Sequence, residues 1–381
     1  MKRMEKYLAL GLVGMLAMSL TACGGGSTTE PAAAPADDTA TEAPADDAAD
    51  AADAADNTAD ADAASGESYD ITWVTCSTES EFWQYQQIGM ENAVADMEAE
   101  HGISINFTTV GPATEAETEA YIRAFENAIA SKPDAIISAT QVPDSTRSVS
   151  KEAMDQGIIV NFTNCGLETL DSTEFSDCYN QYYTTVSADI GDMAGEIMLQ
   201  LLDEAGIAKE GVIAMEFSNV NPSLQPRMDN FKAYIEANSD IEVLDTLYNN
   251  NDLAQAQADI ENEISTYGEK LIGIYGANNT SGDGIALAVE SAGIADKVIT
   301  IGVDSDPTEI QALEDGFIDC IIVQDAYGQG YAALKNAVET LIQGKNPESE
   351  QKIAMPPVAV TTTNMHEDEY AAMLDPTLLK K

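Results

Sequence analysis

The chain has two histidines, His101 at the end of a predicted helix and His366 in the tail, and no G-x-S-x-G or G-x-x-x-x-G-K stretch. Neither a base-activated nucleophile nor a phosphate cradle can therefore be read from it. What recurs instead are hydroxyls, amides and carboxylates, with one thiol, directly after short β-branched runs. These are Cys76, Ser77 and Thr78, then Thr163 and Asn164, Ser218 and Asn219, Asn278 and Asn279, Asp304, Ser305 and Asp306, and Gln324 and Asp325. Asn and Gln amides both donate and accept, and an Asp carboxylate accepts from two hydroxyls at once. None of these positions is Lys or Arg, so the set suits an uncharged molecule with vicinal hydroxyls or amides better than a phosphate or a carboxylate. One Asn, Asp or Ser after a strand is ordinarily a turn former or a helix N-cap. Recurrence at many run ends is what points to a shared site. Phe82 and Trp83 follow the first run; they suit stacking on the apolar face of a ring, or stapling of the helix they begin. Trp73 lies inside the run and reads as core.

The elements that must position these residues alternate. Strands are predicted over 71–75, 103–108, 135–138 and 158–162, with helical patterns between them. Over 115–130, for example, Tyr121, Phe125 and Ile129 recur at four-residue spacing as one apolar stripe. Four strands separated by three helices imply parallel pairing with right-handed crossovers, that is, a doubly wound sheet. After a linker at 182–187 the rhythm restarts: helix 189–204, strand 212–217, helix 227–238, strand 242–247 and helix 253–267. It continues through strand 271–275, helix 282–292 and strands 298–303 and 318–323. A helix over 328–343 and an extended piece over 358–362, after Pro356 and Pro357, close the chain. The expected fold class is α/β, with two doubly wound parallel-sheet lobes. In such sheets ligands bind beyond the carboxyl ends of the strands.

The start of the chain has a different character. Lys2, Arg3 and Lys6 precede an apolar run over 8–18, too short to span a bilayer, which ends in Leu20, Thr21, Ala22 and Cys23. This resembles a lipoprotein signal peptide (1–22) with lipidation at Cys23. Residues 23–68, rich in Ala and Asp and without Lys or Arg, read as a disordered acidic tether that cannot bury enough apolar surface to fold. The rest is longer than one core usually supports, so two domains are expected. A net charge of -49 excludes nucleic acid and polyanions as partners. No metal or cofactor pattern is present. Cys76, Cys165, Cys178 and Cys320 form no C-x-x-C pair, and both an oxidised Cys165–Cys178 loop and free buried thiols fit the sequence.

Taken together, the export signal, the two βα lobes and the run ends resemble the type I periplasmic binding proteins, in particular the ribose- and galactose-binding branch that serves ABC importers. The resemblance covers essentially everything after the tether. It implies three crossover segments forming a hinge, an N-terminal lobe of 69–185 with 326–357, and a C-terminal lobe of 186–325 with 358–381. Residues 71–83 resemble the family's first strand and loop, which implies sugar stacking by Phe82 and Trp83 and a polar contact by Ser80, with Cys76 at the strand end. Tyr275, Gly276, Ala277, Asn278 and Asn279 resemble the strand end that presents a ligand-binding Asn, here Asn278. The stretch 301–304 resembles the one ending in the ligand-binding Asp, here Asp304, and 321–324 the one carrying a hinge Gln, here Gln324. Three positions depart from the pattern: Asn164 and Cys165 stand where relatives often carry Asp and Arg, Gln225 where a ligand-contacting Arg is usual, and Asn251 where a Phe is usual. Charge-assisted bonds of ~1.5–3 kcal/mol give way to neutral ones of ~0.5–1.5 kcal/mol, so ribose itself is not the expected ligand. The resemblance implies a monomeric, lipid-anchored, extracytoplasmic protein without catalytic residues. It would close its lobes on a small neutral ligand, a sugar, and deliver it to an ABC permease. Presentation of the ligand to a membrane receptor is the alternative, as is a nucleoside or a furanosyl signal molecule as ligand.

Overall fold

The computed structural model describes residues 66–221 and 224–381. The signal peptide, Cys23 and the tether up to residue 65 lie outside the described residues. The first half runs β1 (Ser68–Val74), α1 (Glu81–His101), β2 (Ser104–Val110), α2 (Thr118–Ser131), β3 (Ala135–Ser138), α3 (Pro143–Asp155), β4 (Ile159–Thr163) and β5 (Gln181–Thr185). The second half runs α4 (Ser187–Ala205), β6 (Val212–Phe217), α5 (Pro226–Asn238), β7 (Glu242–Val243), β8 (Leu247–Tyr248), α6 (Leu253–Tyr267), β9 (Leu271–Gly276), α7 (Asn279–Ala292), β10 (Ile299–Val303), α8 (Pro307–Asp315) and β11 (Cys320–Val323). The chain then adds α9 (Ala326–Gln343), β12 (Lys352–Met355), β13 (Val358–Thr361) and α10 (Asp368–Leu374).

Two sheets result. The first has the order β12-β5-β4-β3-β1-β2 with every pair parallel. The second has the order β13-β11-β10-β9-β6-β7, with β8 also on β6, and is parallel except for β13. In each half the first strand lies between the second and the third, so both sheets have a switch point there, between β1 and β3 and between β6 and β9. Helices cover both faces of each sheet. Inner strands such as β3, β6 and β9 are accordingly buried along their whole length and do not alternate.

Two stretches differ from the sequence reading. The linker at 182–187 is largely the strand β5, whose Gln181 to Thr185 pair with both β4 and β12. It follows a long loop in place of a helix, so the alternation that reveals the other strands is broken there. The strand predicted over 242–247 is two short pieces, each on β6.

Both sheets receive late segments. Helix α9 returns from the second sheet and packs on α1 inside the core that contains Trp73, Phe125 and Phe162. The crossing is close enough that a Cβ on Gly89 would meet the Tyr327 carbonyl at 2.0 Å and one on Gly330 the Gln86 carbonyl at 2.1 Å, so only glycine fits at either point. β12 then joins the first sheet and β13 the second. The last residues cross back to α1, where Asn92 donates to the Leu379 carbonyl (2.7 Å) and Lys381 pairs with Asp96 (2.5 Å).

Candidate ligand-binding site

The carboxyl ends of the two sheets face one narrow cavity of about 40 Å³. Its floor is set by two residues in equivalent places, Asn164 directly after β4 and Asp304 directly after β10. Both adopt left-handed backbone (φ 55° and 76°), a conformation that Asn and Asp tolerate better than most residues. Each backbone N–H continues the ladder to the next strand, Asn164 to the Tyr183 carbonyl (2.8 Å) and Asp304 to the Ile322 carbonyl (2.9 Å). The turn so made aims the side chain inward and leaves it buried. Gln324, after β11, joins the two: its Oε1 accepts from Asn164 Nδ2 (3.0 Å) and its Nε2 donates to Asp304 Oδ1 (2.5 Å).

The cation of this cavity and its second carboxylate come from outside the strand ends. Pro226 occupies the first turn of α5, and the next residue, Arg227, turns its side chain down to the floor. Its guanidinium donates to the Ala277 carbonyl (2.5 Å) and to Gln324 Oε1 (3.2 Å) and lies 5.8 Å from the centre of the Phe217 ring. Burial raises the Asp304 pKa, and Arg227 and the Gln324 amide pull it back. Glu115, in the loop before α2, is the second carboxylate of the wall. It accepts from Trp83 Nε1 (2.6 Å), Asn251 Nδ2 (2.9 Å) and Gln141 Nε2 (3.3 Å). Burial raises its pKa against the Trp83 and Asn251 bonds.

The apolar part of the wall is Phe82, Trp83, Phe217 and Leu224. Phe82 meets Trp83 edge-on (centroids 4.9 Å apart), and Trp83 in turn lies against Trp73, 6.4 Å away in the core. The rings are packed, and they border the cavity. At the cavity, side-chain hydrogen bonds cross between the lobes from Asn251 to Glu115, from Asn221 to Gln141 (3.1 Å) and from Asn164 to Gln324.

Of the residues singled out from sequence, Phe82, Trp83, Asn164, Asn278, Asp304 and Gln324 line this cavity. Ser80 and Asn251 line the adjoining mouth, which shares Glu115 and Asn279 with it. Asn251 is tied to Asn278 (2.9 Å), which accepts from Ser281 (2.6 Å). Cys76 and Cys165 stand behind the wall as buried free thiols that interact with each other, while Cys178 and Cys320 are also free. Gln225 points away, bonding Asp229 (3.1 Å), and Arg227 reaches the cavity in its place. Glu115, Gln141 and Arg227 were missed by sequence reasoning. Gln141 follows β3 directly after Ala139 and Thr140 and carried the same strand-end signal; the other two precede or begin helices. A wider groove of about 290 Å³ lies along 168–171, 184–188 and Pro226, and none of the predicted residues reaches it. Among the described residues no group of three or more His, Cys, Asp or Glu could hold a metal ion, and no helix is long and apolar enough to cross a membrane.

Residues 71–346 match the family described as a periplasmic binding protein domain. The chain belongs to that family. It is 27% identical over 246 residues to the "Putative rhizopine-binding protein" of Rhizobium meliloti, a match covering 64% of this chain and 76% of the relative. An ABC transporter solute binding protein from Agrobacterium vitis, crystallised with D-fucose, superposes with a TM-score of 0.70 at 25% identity over 80% of this chain and 99% of its own. One from Bacillus halodurans with bound myo-inositol gives 0.65 at 25% identity, covering 81% and 98%. This periplasmic binding protein is thus a member of an extracytoplasmic solute-binding family and not an enzyme.

Proposed function

We propose that this protein captures a small polyhydroxy ligand, a sugar or a cyclitol, between its lobes and hands it to the permease of an ABC importer. The observation that carries this reading is the convergence of Asn164, Asn278, Asp304 and Gln324, from strand ends of both sheets, on one cavity walled by Phe82 and Trp83. Amides and a carboxylate match alternating hydroxyl donors and acceptors, and an aromatic edge matches the C–H face of a ring. Solute binders of similar fold carry D-fucose and myo-inositol. Because side-chain bonds at the cavity already bridge the lobes, a ligand that replaces them with its own hydroxyls favours the closed form by its differential affinity. A micromolar Kd requires about -8.2 kcal/mol, within reach of several such bonds and one aromatic contact. The protein acts as a monomer held at the outer face of the membrane by lipid on Cys23, with residues 23–65 as the tether.

Trp83 in the wall supplies the readout. Titrating the full-length protein with D-fucose, D-galactose, D-arabinose and myo-inositol is expected to change its tryptophan fluorescence with a micromolar midpoint for at least one of them. Saturable binding of anionic compounds alone would remove the reading. Cys23→Ser is expected to release the protein from the membrane fraction.

A further inference from the structure

Three crossovers join the lobes, after β5, after β11 and between β12 and β13. The chain then passes between the lobes once more, in a stretch the ligand cavity does not use. Up to Leu374 it belongs to the second lobe. β13 pairs with β11, Met365 and Leu374 are buried with Ile318 and Val323, and the Leu374 carbonyl accepts from Ser305 Oγ (2.8 Å), just past β10. The residues after Pro376 turn to the first lobe. There the Leu379 carbonyl accepts from Asn92 Nδ2 (2.7 Å), the Lys381 N–H donates to Asn92 Oδ1 (3.3 Å), and the Lys381 ammonium pairs with Asp96 (2.5 Å). The receiving side chains are held in place by two stacked rings of α9. Asn92, itself buried, also donates to the Tyr327 hydroxyl (2.9 Å), and Asp96 accepts from the Tyr331 hydroxyl (3.0 Å).

The joint between these two anchors is stiff. The Asp375 N–H donates to the Ala371 carbonyl (2.9 Å), its carboxylate accepts from the Thr377 N–H (3.0 Å), and the next residue is the buried Pro376, whose ring fixes φ. A rotation of one lobe against the other is therefore not absorbed at the joint and falls on the weaker anchor. The side held by a sheet and a core is the second lobe. The side held by two hydrogen bonds and an exposed ion pair is α1, and the exposed pair adds little.

We propose that residues 376–381 are a strap that holds the lobes together without ligand and comes off Asn92 and Asp96 each time the cleft opens. The inference goes beyond the function proposed above and does not depend on the ligand class. Like charges at the mouth act against the strap: Glu79 and Glu81 come from one lobe, Asp283 and Asp306 from the other. The balance sets how often the cleft is open, and with it the rate at which any ligand enters and leaves.

The chain contains two tryptophans, Trp73 in the core and Trp83 at the cleft, and both are buried. Acrylamide quenching of the ligand-free, full-length protein therefore reports opening through Trp83. In Asn92→Ala, which removes both hydrogen bonds to the strap, the quenching constant is expected to at least about double. A chain ending at Pro376, which loses only exposed residues and keeps both cores, is expected to show a rise at least as large. Leu378→Ser, a change at a side chain that is 65% exposed, is expected to leave the constant as it is. A shortened chain quenched no more than the parent would overturn the inference, because the strap would then follow the lobes without restraining them. A rise in Leu378→Ser equal to that in Asn92→Ala would overturn it as well. Neither result bears on which ligand the cavity takes.

Discussion

Asn164 and Asp304 occupy equivalent places in the two lobes: the first residue past β4 and past β10, with left-handed backbone, an N–H on the neighbouring strand and a side chain on Gln324. One is an amide and the other a carboxylate, and the surroundings differ accordingly. Around Asn164 the partners are neutral: Gln324, with Tyr182 and Thr184 donating to its backbone carbonyl. Around Asp304 the chain has placed a fully buried arginine, and the Asp306 and Glu309 carboxylates press on the same region. The same backbone device is thus stable with either side chain, but the charged version requires a counter-charge and the neutral one does not.

The largest way to break this comparison is to remove the counter-charge. Arg227→Ala leaves Asp304 buried without its cation and is expected to cost about 3–5 kcal/mol in urea denaturation. On an Asp304→Asn background the same change is expected to cost at least about 1 kcal/mol less, because the charge that Arg227 balances is gone. Equal costs in both backgrounds would mean that packing of Arg227 on Phe217, and not charge, separates the two lobes.

The converse change makes the first lobe resemble the second. Asn164→Asp places a carboxylate against Gln324 Oε1, an acceptor that already takes Arg227. Gln324 can turn its amide to the new carboxylate only by giving up Asp304. A loss of about 1–3 kcal/mol at neutral pH is expected. It should diminish below the usual carboxylate range, where the introduced group is protonated, and melting curves at two pH values would show it.

A smaller effect sharpens the contrast in ionisation. Glu216 on β6 is fully buried and neither of its oxygens has a hydrogen-bond partner. Burial pushes its pKa from 4.5 up to about 8, offset in part by the nearby Asn249 side chain. Between those two values the folded chain holds a proton that the unfolded chain releases. Its contribution to stability is therefore present in full below about 4.5 and lost as the pH rises through about 8. Glu216→Met is expected to flatten that slope and to raise stability by about 1–3 kcal/mol at the alkaline end, with little gain at the acid end. A pH profile identical to that of the parent protein would contradict the assignment.

Sequence alone determined a good part of this molecule. Apolar β-branched runs separated by amphipathic stretches can be satisfied only by buried parallel strands with helices on both faces, and the order in which they recur repeats in the two halves. Because ligand contacts in such sheets lie where strands end, Asn164, Asn278, Asp304 and Gln324 could be read from their positions directly after those runs. Glu115 and Arg227 could not, since the stretches beginning at 115 and 227 read as solvated helix starts, where acids and polar residues are ordinary. The choice between Gln225 and Arg227 depended on where α5 begins, and Pro226 in its first turn turns the second of the two inward. Tertiary structure alone brought Glu115 and Asn251 together from opposite lobes, with no salt-bridge partner for that carboxylate among the described residues. Charge balance in a cavity is a sum over groups distant in the chain, and no local pattern carries it.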